Sequence, residues 1–231
     1  MSLLPFVAVD VETANLNNAN ICQLGIAIFD QGILTHKVST LVNPRAKFNP
    51  KFERQHGITR AHVTDAPTWE QVYPRCAKYL SNQIVLSHTL FDQEAIDKAS
   101  ARLGLALIEP LAWVDTCRVA RSVWPELRNH KLPTLAECFG ISYSAHDACD
   151  DARCAGEIFL RAISDSGLSM EQIIREHAAV DVSGSSATPI VLHSEPLDLN
   201  PQNDPMTPGQ LLFCIIIAII GLISFLAKLS G

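Results

Sequence analysis

Residues 6–13 read Phe-Val-Ala-Val-Asp-Val-Glu-Thr. The β-branched content of this stretch predicts a strand. Because side chains alternate across a strand, Asp10 and Glu12 share one face and the three valines share the other. A strand this apolar is expected in the interior of a sheet. Acids are disfavoured there, because a buried, unpaired carboxylate costs free energy. The two acids therefore either lie at an exposed strand end or bind cations.

The sequence pattern on either side of this strand predicts an α/β fold. Strands at 21–29 and 33–42, joined by a turn at 30–32, open the chain as a meander. A polar stretch with prolines, 43–68, is predicted to be irregular. Helices and short strands then alternate: helices near 69–81, 91–103, 116–123, 132–139, 147–164 and 169–176, and strands at 84–87 and 114–115. This order indicates a mixed five-stranded sheet flanked by helices.

The bulk composition restricts the class of protein. A chain of 231 residues fits one α/β domain plus an appendage. Residues 1–179 carry 17 Lys+Arg against 20 Asp+Glu, so the overall charge of −6 does not oppose a phosphate substrate if four acids bind cations. The seven cysteines include no Cys-x-x-Cys pair, which argues against a zinc or disulfide framework. No charged leader precedes the first strand, so no signal peptide is predicted.

A third acid begins the helix near residue 91. Its apolar positions are Ala95, Ile96, Ala99 and Leu103, and Asp92 falls on the same inward stripe. From this pattern alone, an N-cap role and metal ligation are equally good interpretations.

The helix after residue 146 contains two adjacent acids, and helical geometry distinguishes them. Asp151 borders the apolar stripe formed by Ala148, Ala152, Ala155, Phe159 and Ala162. Asp150 instead lines up with Arg153 and Glu157 on a charged outer face. Asp151 is therefore the candidate ligand, and His146, one turn earlier, is the candidate general base.

Together these motifs resemble the DnaQ-like 3′→5′ exonucleases whose last motif contains histidine (DEDDh), of the ribonuclease H-like superfamily. The first motif, Asp-x-Glu-Thr, is present at 10–13, and the strand motif Gln-x-Gly at 23–25. Residues 56–59 and 66–68 match another segment that is typical of this family. The second motif reads His-Thr-Leu-Phe-Asp at 88–92, and the third is His146-x4-Asp151. The resemblance covers about residues 5–165.

The resemblance implies hydrolysis of terminal phosphodiester bonds of DNA or RNA from a 3′ end, with release of nucleoside monophosphates. It implies two Mg²⁺ or Mn²⁺ ions held by four ligands, Asp10, Glu12, Asp92 and Asp151. His146 would take the proton of the attacking water. Thr13, through its backbone, and Phe91 would contact the substrate. Ala14-Asn15 and Thr89 depart from the usual motifs, which leaves the preference for DNA or RNA open.

The C-terminal part differs in composition. Residues 180–210 are rich in proline and predict a flexible linker after an exonuclease domain at 1–179. Residues 211–227 contain no charge, so a transmembrane helix is predicted at 211–228. The expectation is a single-pass C-terminal membrane anchor with the catalytic domain in the cytoplasm.

Two other functions remain open: a nucleic-acid-binding module that does not cut, and a proofreading accessory subunit whose linker binds a protein partner. A basic stretch, Arg118, Arg121, Arg128, His130 and Lys131, could steer a phosphate backbone or could be a solvated helix face.

Overall fold

A computed structural model describes residues 3–178 and 198–201. Within these ranges the chain forms five strands and seven helices. The strands are β1 (Phe6–Thr13), β2 (Ile21–Asp30), β3 (Ile33–Leu41), β4 (Ile84–Ser87) and β5 (Ala112–Asp115). The helices are α1 (Pro50–His56), α2 (Trp69–Leu80), α3 (Phe91–Arg102), α4 (Thr116–Val123), α5 (Leu132–Phe139), α6 (Ala148–Ser166) and α7 (Met170–His177).

The strands form one mixed sheet in the order β3-β2-β1-β4-β5. The β1–β2 and β2–β3 pairs are antiparallel, whereas β1–β4 and β4–β5 are parallel. β4 pairs with β1 only at Val7 and Ala8. After Ala8, the backbone edge of β1 that faces β4 is no longer paired with it. We call this the open edge of β1, and Asp10 and Glu12 lie in this part of the strand.

Helices cover both faces of the sheet, and the alternation of β1 assigns each side chain to one of them. Val7 and Val9 pack in the core that includes residues of α2 and α3. Phe6 and Ala8 pack in the core on the other face, which includes residues of α4, α5, α6 and α7. Asp10 and Glu12 continue the Phe6 face, so they point towards the side covered by α6.

The first turn of α6 lies directly against β2, and a glycine makes this approach possible. Gly25 is the register partner of Asp10. A Cβ on Gly25 would lie 2.2 Å from the backbone carbon of Ala148, so no larger residue fits without displacing the helix. The side chain of Gln23 accepts a hydrogen bond from the Ala148 N–H at 3.3 Å. The Gln-x-Gly motif thus holds the start of α6 beside Asp10.

The predicted mixed five-stranded sheet flanked by helices is confirmed. One element was not predicted: α1 lies inside the stretch that was expected to be irregular. None of its residues is buried, and its sequence accordingly lacks the apolar stripe by which a helix is predicted. Its boundary signals are clear in the structure, with Asn49 capping the first turn, Pro50 at the start and Gly57 in the left-handed conformation after the last residue.

The transmembrane part of the fold prediction is wrong for the described chain. Within residues 3–178 and 198–201, no helix combines the length and apolar character needed to cross a bilayer. The predicted span, 211–228, lies outside the described residues. The prediction of a membrane location rested on that span and is corrected with it.

The predicted linker, 180–210, also lies outside the described residues except for 198–201. Leu199 is fully buried in the same core as Val7 and Val9. The backbone N–H of Asp198 donates to the hydroxyl of Tyr79 on α2 at 3.4 Å.

Candidate active site

Asp92 reaches the open edge of β1. α3 begins four residues after β4 ends, so its first turn lies at the edge where β4 has separated from β1. The backbone N–H of Val11, which β4 leaves unpaired, donates to Asp92 Oδ1 at 3.0 Å. Asp92 is buried. This bond fixes the third acid beside Asp10 and Glu12, between which Val11 stands.

α6 supplies the fourth acid, Asp151, and the residues just before the helix include the histidine. The backbone N–H of His146 donates to Asp151 Oδ2 at 2.7 Å, and His146 has a positive φ of 65°. Asp147 caps the helix by accepting from two backbone N–H groups. Asp150 instead accepts from Arg153 Nε at 2.9 Å and from the Ser144 N–H at 2.8 Å.

Three of these side chains converge closely. Ligand atoms of Glu12, His146 and Asp151 all lie within 4.8 Å of one another. The distance from His146 Nδ1 to Glu12 Oε1 is 3.8 Å. The imidazole is exposed while Glu12 and Asp151 are largely buried, so the histidine borders the acids on their solvent side.

The acids raise one another's pKa values. Burial, followed by the charges of Asp92, Asp151 and Glu12, holds the pKa of Asp10 well above its usual range. Burial and the charge of Asp151 raise the pKa of Glu12 to about 8. Burial raises the pKa of Asp92 to about 7, although the hydrogen bond from the Val11 N–H lowers it. Burial likewise raises the pKa of Asp151 to about 7, although the hydrogen bond from the His146 N–H lowers it. Near neutral pH, full ionisation of all four therefore requires a compensating positive charge.

This donor set fits divalent metal ions with a preference for oxygen. Mg²⁺ and Mn²⁺ are bound mainly by carboxylates and water. Four carboxylates from three elements of the fold approach one another, and each has a raised pKa that a bound cation would lower. His146 adds an imidazole, which is a common general base in enzymes.

The unpredicted helix α1 contributes two contacts that sequence reasoning missed. The Gln55 side-chain amide donates to His146 Nδ1 at 3.4 Å. His56 Nε2 donates to the carbonyl oxygen of Thr13 at 3.2 Å. The residue pair 55 and 146 is far apart in the chain, so no local pattern could connect them. The cap signals around α1 were the available clue to this helix.

The two predicted substrate contacts differ in exposure. Thr13 is buried at the end of β1, with its carbonyl engaged by His56. Phe91 is 42% exposed beside Asp92. The motif departure at Thr89 has a structural role, because its hydroxyl accepts the Phe91 N–H at 3.2 Å at the start of α3. Leu16, in the loop after β1, is 86% exposed, and no role was predicted for it from the sequence.

We expect Asp151→Asn to reduce hydrolytic activity by about 10²–10⁴-fold, and Asp150→Asn to change it by less than about threefold. Asp151 lies among the acids and holds His146, whereas Asp150 pairs with Arg153 on the outer face. Steady-state rates of the two variants, compared at equal thermal stability, check this. Equal defects at 150 and 151 would show that helix orientation does not select the functional acid.

Without a divalent cation, the free energy of unfolding is expected to fall as pH rises from about 5 to about 8. Unfolded carboxyls titrate near pH 4, while the pKa values of Glu12, Asp92 and Asp151 in the fold are about 8, 7 and 7. Between these limits the folded state binds more protons than the unfolded state, so raising the pH favours unfolding. Added Mg²⁺ should restore stability, and more at about pH 8 than at about pH 5.

Thermal unfolding at both pH values, with EDTA or Mg²⁺, measures this effect. Asp150→Asn is the matched control, because the pKa of Asp150 is lowered by its bond with Arg153 and the variant should keep the same trend. A melting temperature that rises with pH in EDTA would contradict the electrostatic description of the site.

Known proteins are similar to this chain in sequence and in fold. The model of the exonuclease family RNase_T matches residues 7–159. The DNA polymerase III subunit epsilon of Aquifex aeolicus is 30% identical over 165 residues, 69% of this chain and 81% of that protein. The PolC-type DNA polymerase III of Caldanaerobacter subterraneus subsp. tengcongensis is 30% identical over 162 residues, 68% of this chain but only 11% of the polymerase. The chain thus spans about a tenth of that relative.

Among solved structures, Exonuclease X in complex with 5′ overhanging duplex DNA has a similar fold. The TM-score is 0.59 at 22% identity, covering 73% of this chain and 97% of the other. At this identity the likeness concerns the fold.

Proposed function

Because the chain belongs to the RNase T exonuclease family, we propose that it hydrolyses the terminal phosphodiester at the 3′ end of DNA or RNA and releases nucleoside monophosphates. The observation that carries the proposal is the convergence of four acids and one histidine beside the open edge of β1. A fold that needed only to bind nucleic acid would gain nothing from acids that raise one another's pKa values.

The proposed roles follow from the positions of the side chains. The ligands of two Mg²⁺ or Mn²⁺ ions would be Asp10, Glu12, Asp92 and Asp151. Such ions, when bound, lower the pKa of a water and neutralise charge on a phosphate. His146, exposed beside Glu12, accepts the proton of the attacking water. Asp151 positions His146 through the backbone, and the Gln55 side chain contacts the imidazole at Nδ1.

Two residues are proposed to seat the terminal nucleotide. Phe91 presents a half-exposed ring beside Asp92, and aromatic rings of this kind stack on bases with little preference for sequence. Thr13 lies one residue after Glu12, and its backbone is held in place by His56. Neither contact distinguishes DNA from RNA.

A second candidate, a proofreading accessory subunit, is favoured by the similarity to DNA polymerase III subunit epsilon. In this function the same chemistry acts on the 3′ end held by a polymerase partner. The third alternative, a binding module without catalysis, gives no role to the paired placement of His146 and Asp151.

Incubation of the full chain with DNA and RNA oligomers in Mg²⁺, Mn²⁺ or EDTA tests the proposal. Hydrolysis of at least one oligomer with metal, and none in EDTA, is expected. An oligomer that binds but stays intact with both metals would identify a binding module. Hydrolysis that appears only after a polymerase is added would favour the accessory subunit.

A further inference from the structure

The segment 43–64 stands between β3 and α2, and we call it the basic lobe. It contains five Lys and Arg residues against one acid, Glu53, although the whole chain has a net charge of −6. The basic stretch singled out in the sequence, Arg118–Lys131, is a different part of the chain. A concentration of positive charge in an otherwise acidic protein calls for a specific explanation.

The basic lobe is bonded to the loop that follows Glu12. The Asn49 N–H donates to the carbonyl of Ala14 at 2.8 Å, and the Asn15 side chain donates to the carbonyl of Lys47 at 2.7 Å. Together with the Gln55 and His56 contacts, these bonds place the lobe beside the acids and the imidazole. An apolar cluster that includes Ala14, Ile58 and Val63 anchors it.

A groove of about 340 Å³ crosses this lobe. Three exposed cations line it, Arg45, Lys47 and Arg60. Among the described residues that line it there is no acid. Arg45 adopts a positive φ of 49°, and its N–H donates to Asn43 Oδ1 at 3.0 Å, so a defined turn sets its backbone.

We propose that this groove binds the phosphodiester backbone of the substrate strand upstream of its 3′-terminal nucleotide. The inference rests on the proposed function, which puts the 3′ end at Asp10 and Glu12. The remainder of the strand must leave the site over a neighbouring surface, and the basic lobe is bonded to the loop that borders it. Exposed Lys and Arg bind phosphates without reading bases, so the groove contributes affinity but not sequence preference.

The test is the variant R45Q/K47Q/R60Q in the full chain, assayed on a long single-stranded oligomer and on a dinucleotide. KM for the long oligomer should rise at least about tenfold with kcat unchanged, because the three groups bind substrate without touching the reacting atoms. Kinetics on the dinucleotide should not change. The slope of log(kcat/KM) against log[salt] for the long oligomer should become shallower by about 2, at roughly 0.7 for each phosphate contact of a single strand.

A variant with the same change in charge, R118Q/R121Q/R128Q, is the matched control, and it should keep both KM and the salt slope. If the control shows the defect and the lobe variant does not, the strand follows the other basic surface and the proposal is wrong. A lobe variant that also loses inhibition by a free nucleoside monophosphate would make the groove a mononucleotide site, which overturns the proposal as well.

Binding separates failure of this inference from failure of the proposed function. If the wild-type chain hydrolyses no oligomer, the proposed function fails. Fluorescence anisotropy of a labelled oligomer in EDTA then still tests the groove: weaker binding by the lobe variant alone supports it, and equal binding by all three proteins overturns it.

Discussion

Asp10→Asn is expected to lower the rate of hydrolysis by about 10³-fold while the protein stays folded. The change removes a charge without changing the size of the side chain. Burial and the charges of Asp92 and Asp151 already hold the pKa of Asp10 far above its usual range, so the folded protein without metal is destabilised by ionisation at this position. In EDTA at about pH 8, the variant should therefore melt at a higher temperature than the wild type.

Rate and melting temperature must be measured on the same preparation, with Glu70→Gln on the exposed surface of α2 as the control for loss of one negative charge. The control should match the wild type in both. Asp10→Asn with normal activity and a lowered melting temperature would show that Asp10 supports the fold and takes no part in hydrolysis.

Gly25→Ala is expected to have the largest effect on the fold. The added Cβ would lie 2.2–2.3 Å from the backbone of Ala148 and Cys149, so the first turn of α6 must move. Overpacking of this kind typically costs about 1–3 kcal/mol and occasionally more. The same movement separates His146 and Asp151 from Glu12, so activity and the stabilisation by Mg²⁺ should both be lost.

Gly140→Ala is the control. A Cβ on Gly140 meets nothing within 4 Å, but its φ of 66° imposes a conformational cost of about 1–2 kcal/mol. Thermal unfolding with and without Mg²⁺, together with the rate, compares the two variants. Gly140→Ala should keep its response to Mg²⁺. If Gly25→Ala keeps its response too, close approach of α6 to β2 is not what assembles the site.

The sheet and most helices could be predicted because the spacing of apolar residues along a strand or helix indicates which side of it is buried. The alternation in residues 6–13 put Asp10 and Glu12 on one face, and the helical stripe distinguished Asp151 from Asp150. In the structure Asp151 is 8% exposed, whereas Asp150 pairs with Arg153. Their roles in binding metal remain predictions.

Features that depend on contacts between distant parts of the chain could not be predicted. Gly25 was visible as part of a motif, but its function depends on the packing of α6. α1 buries none of its residues and so shows no periodicity, yet it carries Gln55 and His56 to the site. At the other end, an uncharged run was interpreted as a membrane span from composition alone, and the described residues contain no helix able to serve as one.

Product analysis with end-labelled oligomers tests whether the chain removes nucleotides from a 3′ end with a divalent metal. Single-stranded DNA and RNA of the same sequence, labelled at the 5′ or the 3′ end, should be incubated with the full chain and Mg²⁺ or Mn²⁺. We expect a ladder of progressively shorter products from the 5′-labelled strand and immediate release of a labelled mononucleotide from the 3′-labelled strand. Neither product should form in EDTA or with Asp10→Asn. Release of a labelled mononucleotide from the 5′ end, internal cleavage, or equal rates with and without metal would contradict the proposed activity.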